Sequence, residues 1–183
     1  IWKGWETARK IEFGRSKEEI YPVESLPAGE DYTGADDLSG AFRMMWDDKF
    51  LYLGVEVGDD KFISVPERGM KGFAGDSIEL AFQPENRLAR EAERYEFELY
   101  LPAGAEKYCA SRRSPLPEKI ISEWNAAVVP TKRRGDVNYQ VAIPWTDIGV
   151  EKPEMGRTIS FALVLNDSDT GRFTDRKRTR LNS

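Results

Sequence analysis

The stretch AFRMMWDDKFLYLGVEVGDD, Ala41–Asp60, decides the fold class. Phe42, Met44 and Trp46 alternate with Arg43 and Met45. After Asp47–Asp48–Lys49 the alternation resumes, with Leu51, Leu53, Val55 and Val57 on one face and Tyr52, Gly54 and Glu56 on the other. Strand side chains project with period two, so each half offers one apolar stripe. The acidic junction suits a tight turn, because a short carboxylate bonds nearby backbone. A lone hairpin is marginal in water and requires further strands and a second layer.

Those strands are legible on either side. Ala8–Phe13 is a short candidate, and residues 14–40 read as a long loop. After a second loop over Lys61–Gly75, DSIELAFQ (Asp76–Gln83) points Ile78, Leu80 and Phe82 inward. YEFELYL (Tyr95–Leu101) does the same with Tyr95, Phe97, Leu99 and Leu101. Asn86–Arg94 has helical composition but only enough length for a turn or two. Further candidates are Glu106–Ser111, Ser122–Val129, Val137–Pro144 and Thr158–Asn166, with a single helical turn over Trp145–Gly149. Eight or more short strands without long helices predict an all-β, antiparallel β-sandwich. The expected core is Phe42, Met44, Trp46, Leu53, Val55, Ile78, Leu80, Phe97, Leu99, Ile143, Phe161 and Leu163, joined by Trp124 and Trp145.

Composition limits the chemistry. One domain is the natural reading of 183 residues, long enough to bury a core without disulfides. The single Cys109 allows no internal disulfide, and no apolar run reaches the length of a membrane span. The absence of histidine removes the commonest general base, zinc ligand and axial haem ligand. Net charge is −5, and Asp175–Ser183 holds four of the 27 basic residues. An acidic body with no basic stripe disfavours nucleic acid and favours neutral ligands or cations. Glu79, Glu96 and Glu98 fall on outward strand faces, where they can accept hydroxyls, ligate a cation or form a solvated face. The acidic pairs Asp36–Asp37, Asp47–Asp48, Asp59–Asp60 and Asp167–Asp169 offer oxygen ligands of the kind calcium takes. Asp47–Asp48 reads more naturally as turn chemistry.

Residues 41–60, GDSIELAFQ (75–83) and YQVAIPWTDIG (139–149) leading to ISFALVLNDSD (159–169) together resemble the family 9 carbohydrate-binding module, within the broader DOMON-like group of sandwiches. The resemblance implies a noncatalytic accessory module of a larger polysaccharide-processing or cell-surface protein. It would be exported to an extracellular or periplasmic location, joined covalently to other domains, and its partner would be an oligo- or polysaccharide. Family members grip a sugar between two aromatic rings, which suits the C–H faces of a pyranose. By this resemblance the sugar site falls on Phe73, Glu79, Glu98 and Asn166. Phe73 replaces the first sandwiching tryptophan and Glu79 retains the sugar-binding carboxylate. Glu98 stands where the family has a donating arginine, and Val164 where it has a glutamine. Phe173 is the one aromatic near the second ring's place. Structural Ca²⁺ is expected on Asp59, Asp60, Asp167 and Asp169. The sandwich is assigned to residues 1–174. Asp175–Ser183, DRKRTRLNS, reads as a basic tail that resembles translated adaptor sequence more than a final strand. Two other readings stay open: an interaction domain of the same fold with a decayed sugar site, and, more distantly, a carboxylate-based glycoside hydrolase.

Overall fold

The computed structural model describes residues 4–15, 33–69, 71–85, 93–115, 117–132, 135–168 and, for the backbone only, 177–182. Eleven strands are formed in it. They are β1 (Ile11–Phe13), β2 (Leu38–Trp46), β3 (Phe50–Asp59), β4 (Ser77–Gln83), β5 (Tyr95–Tyr100), β6 (Cys109–Ser114), β7 (Lys119–Ile121), β8 (Asn125–Pro130), β9 (Val137–Pro144), β10 (Ser160–Asp167) and β11 (Lys177–Asn182). Among the described residues short 3₁₀ turns lie at Trp5–Thr7, Gly72–Ala74 and Trp145–Ile148. The strands make two antiparallel sheets, ordered β1-β2-β3-β9-β8 and β11-β10-β4-β5-β6-β7. The expected sandwich is present. Among the described residues no helix is long and apolar enough to cross a membrane.

The alternation read from the sequence becomes the interface between the sheets. Phe42 pairs with Val55, and Leu53 with Val141; in the second sheet Leu163 pairs with Leu80 and Leu80 with Phe97. A row of ring contacts crosses the interior from Phe13 to Phe42, Phe161, Phe82, Phe97 and Trp124. Its shortest centroid separations are 5.2 Å for Phe82–Phe161 and 4.9 Å for Phe97–Trp124, within the range where tilted aromatic pairs attract. At the hairpin, Asp47 acts as turn chemistry. Its Oδ1 accepts from the Lys49 and Phe50 N–H groups and its Oδ2 from the Tyr52 hydroxyl. These bonds, led by that from Lys49 N–H, hold the carboxyl below its ordinary pKa.

Three expectations change. Trp46 is 48% exposed, because it is the last residue of β2 and the exposed turn Asp47–Lys49 follows it; its ring meets Trp145 edge-on. Met44, two residues earlier, is half-buried, whereas Trp124 and Trp145 are buried. The strand expected over Ser122–Val129 begins only at Asn125 as β8, and a short strand not expected from the sequence, β7, precedes it in the other sheet, with Trp124 buried between the two. Finally, Lys177–Asn182 runs antiparallel to β10, Leu181 opposite Leu163, and forms the sheet's edge. Of the helical candidate, residues 86–92 lie outside the described residues, as does Phe173.

Candidate functional site

The outer face of the second sheet carries two polar rows. One runs Val164–Glu79–Glu98–Ser111 across β10, β4, β5 and β6, and the next runs Asn166–Ser77–Tyr100–Cys109. The loop before β4 covers part of the second row. Val65 and Ala74 pack with Tyr100 and Cys109 in a small buried cluster, and the Tyr100 hydroxyl accepts from Gly69 N–H at 3.0 Å. Burial raises the Tyr100 phenol above its ordinary range. Gly75 lets the chain fold back closely: a Cβ there would sit 2.7 Å from Ile63 O and 2.8 Å from Val65 N. The segment thereby places Phe73, half-buried, on the turn Gly72–Ala74.

Glu98 corrects the picture of an outward, solvated glutamate. It is 1% exposed. Its Oε2 accepts from Gly72 N–H at 3.1 Å and from Ser111 Oγ at 3.4 Å, and its Oε1 from the Arg113 guanidinium. The reason is the covering loop, which turns an outward strand position into an interior one and supplies donors for the charge. Arg113, also on this face of β6, places its Cζ 5.8 Å from the Phe73 ring centroid and its Nε 3.3 Å from Glu118. Glu79 is half-buried, and one of its oxygens accepts from Asn166 Nδ2 at 2.9 Å; the same amide nitrogen donates to Ser77 Oγ at 3.0 Å. Asn166 is buried, and its Oδ1 makes no hydrogen bond among the described residues. Phe73 and Glu98 thus meet through one loop, and Glu79 and Asn166 through one hydrogen bond. Sequence reasoning misses Arg113, because Arg112–Arg113 gives no sign of its cross-strand partner.

A second cluster lies beside this face. Asp59 at the end of β3, Asp76 just before β4 and Asp167 at the end of β10 are buried, each with a ligating oxygen within 4.8 Å of the others'. Asp76 is held by backbone: Oδ2 accepts from Ile63 N–H and Oδ1 from Ser168 N–H at 2.8 Å. Burial, and then the charges of Asp59 and Asp167, push its carboxyl well above the usual pKa. Of the expected metal ligands, Asp59 and Asp167 come together here. Asp60 is exposed and outside the cluster, and Asp169 lies outside the described residues. Asp76 escapes sequence reasoning because it reads as the first residue of a strand. Its place directly before the SIEL alternation is the available signal.

The sequence profile described as Carbohydrate family 9 binding domain-like matches residues 15–182. The chain belongs to this family. Two solved structures of a family 9 carbohydrate-binding module from Caldicellulosiruptor kristjanssonii share its fold. The complex with glucose is 13% identical, with a TM-score of 0.61, covering 98% of this chain and 77% of that one. The complex with cellotriose is 14% identical, with a TM-score of 0.58, covering 98% and 75%. A putative carbohydrate-binding protein from Bacteroides uniformis ATCC 8492 is 12% identical, with a TM-score of 0.57, covering 79% of this chain and 69% of that one. A search of curated proteins gives no match. This family 9 domain therefore carries its candidate polar face on the β10-β4-β5-β6 surface, with the aspartate cluster at one end of it.

Proposed function

We propose that this family 9 domain is a noncatalytic accessory module that binds oligo- or polysaccharide for a larger polysaccharide-processing or cell-surface protein, exported to an extracellular or periplasmic location. One observation carries the reading: Phe73 stands on a turn tied down by Glu98, beside an ordered set of donors and acceptors formed by Glu79, Asn166 and Arg113. An aromatic platform with polar groups at its rim suits a pyranose, which has apolar C–H faces and hydroxyl edges. The solved relatives with glucose and cellotriose support the ligand class.

Calcium fits the aspartate cluster. The donors are all carboxylate oxygens, which a hard divalent cation takes, and three buried carboxylates at this spacing repel one another without one. Asp59, Asp76 and Asp167 would hold the ion, which would supply compensating charge and tie β3 of one sheet to β4 and β10 of the other. Asp76 keeps its orientation through Ile63 and Ser168 N–H.

The reading is tested by calorimetric titration of the chain with xylo- and cello-oligosaccharides, repeated with Phe73→Ala and Glu79→Ala. Binding that both substitutions weaken at least tenfold in folded protein supports it. The absence of binding across a broad glycan panel would leave an interaction domain of the same fold instead, and sugar release by the isolated domain would overturn the noncatalytic role.

A further inference from the structure

Away from the polar face, we infer that the sandwich holds a second ligand site: an apolar cavity that takes an uncharged aromatic ring and leaves the ring's polar substituent at its mouth. The cavity lies where β2 and β3 of the first sheet approach the loop leading into β10 of the second. Its volume is about 340 Å³, within the roughly 300–1,000 Å³ of small-molecule sites. Ile159, in its lining, directly precedes β10, whereas Asp167 of the aspartate cluster is that strand's last residue. The strand path between them is about 27 Å, and that from Ile159 to Val164, in the row of Glu79 and Glu98, is about 17 Å. The cavity is therefore distinct from both.

Buried Leu51 and Val150 and half-buried Met44 and Ile159 make the lining apolar. Trp46 and Trp145 add two indoles inclined at 77°, their centroids 6.3 Å apart. A planar ring that stacks on one of them meets the other edge-on, and both arrangements attract. At the rim, Arg157 N–H donates to the Glu154 carbonyl at 3.2 Å, closing a turn in which Gly156 takes a φ of 86°. That turn holds Met155 90% exposed. A methionine thioether is flexible and favours contact with ring edges, so Met155 can fold over a bound ring. Trp46 and Met155 are two of the four large hydrophobic residues exposed among the described residues, and both line this one cavity. A ring seated there would cover apolar surface that folding leaves in water.

The polar groups decide the class of ligand. Glu154 and Arg157, exposed at the mouth, are opposite in charge and give an ion no net attraction. Below them the lining side chains offer two hydrogen-bonding groups, the indole N–H groups, and that of Trp145 already donates to the Asp47 carbonyl at 2.8 Å. A sugar ring held inside would keep most of its hydroxyls without side-chain partners, which costs more than its C–H faces return. An aryl group has no such debt, and a polar group attached to it can stay in water at the mouth. A free aromatic molecule and an aryl group borne by a glycan share this chemistry.

The test is an NMR titration of the full chain, labelled at methionine methyls and indole nitrogens. The ligands are methyl benzoate, methyl cyclohexanecarboxylate, benzoate, phenyl β-xyloside and methyl β-xyloside. Methyl benzoate and phenyl β-xyloside should shift the Met155, Trp46 and Trp145 signals. The saturated ester and the benzoate anion should bind several-fold more weakly, and methyl β-xyloside should leave these signals in place. Trp46→Ala and Met155→Ser replace exposed side chains, and melting curves verify that both stay folded. The first should weaken methyl benzoate at least tenfold and the second several-fold. Tighter binding of phenyl β-xyloside than of methyl benzoate assigns the ring to a glycan substituent, and the reverse order to a free small molecule. The inference is overturned if neither aromatic ligand shifts these signals in wild type, or if the saturated ester binds as well as methyl benzoate. Undiminished methyl benzoate binding by folded Trp46→Ala, or methyl β-xyloside moving the same signals, overturns it equally.

Discussion

Replacing Asp76 by Asn should change stability with opposite signs in the presence and absence of calcium. In calcium-free protein Asp76 shares a buried site with Asp59 and Asp167, their oxygens within 4.8 Å. At an effective dielectric constant of about 20, each charged pair at that distance repels by about 3.5 kcal/mol. Two such pairs involve Asp76, but the proton limits the penalty: protonating a carboxyl of ordinary pKa 3.8 at pH 7 costs only about 4 kcal/mol. Asn removes this penalty. In exchange its amide nitrogen faces either Ile63 N–H or Ser168 N–H, which then loses its acceptor at a cost of about 1–3 kcal/mol. The net effect in EGTA is a gain of about 1–3 kcal/mol, raising Tm by roughly 2–12 °C for a chain of this size. With calcium at about 1,000 times Kd the variant lacks one charged ligand and forfeits most of a mass-action stabilisation of about 4.1 kcal/mol, more than it gained. It should then melt below wild type. Scanning calorimetry in calcium and in EGTA measures both signs. A variant less stable than wild type by the same amount in both buffers would refute the electrostatic reasoning and the calcium site together.

The pH dependence follows from the same group. Because burial and its acidic neighbours raise the Asp76 pKa in the folded state, its contribution is fully present below about pH 3.9 and is lost as pH rises through the raised value. Calcium competes with that proton, so the calcium-induced rise in Tm should be greatest near neutrality and shrink on acidification; a constant shift between mildly acidic and neutral buffer contradicts this. In the core, Phe97 is 1% exposed and touches both Phe82 and Trp124. Phe97→Ala should therefore cost about 3–5 kcal/mol in denaturant unfolding at unchanged m-value, and a loss below about 1 kcal/mol would show that the site collapses around the gap.

Fold class was legible in the sequence because a strand declares its buried face locally. The alternations at 42–57, 78–82, 97–99 and 161–165 needed no partner to be read, and each became part of the sheet interface. Lys177–Asn182 could not be found this way, since KRTRLN offers no apolar period; its pairing with β10 is a tertiary fact. The likeness of three ordered segments to one family is what singled out Phe73 and Glu79 as candidates. What the sequence could not supply was adjacency. Period two says which side of a sheet Glu98 occupies, but only strand order puts Arg113 beside it, and only the covering loop buries it. Asp59, Asp76 and Asp167 likewise end or precede three strands far apart in the chain, two in one sheet and one in the other. The residue types and their faces are set by local covalent geometry. The charge partners are set by which strands lie next to one another, and that arrangement forms only when the two apolar faces close together.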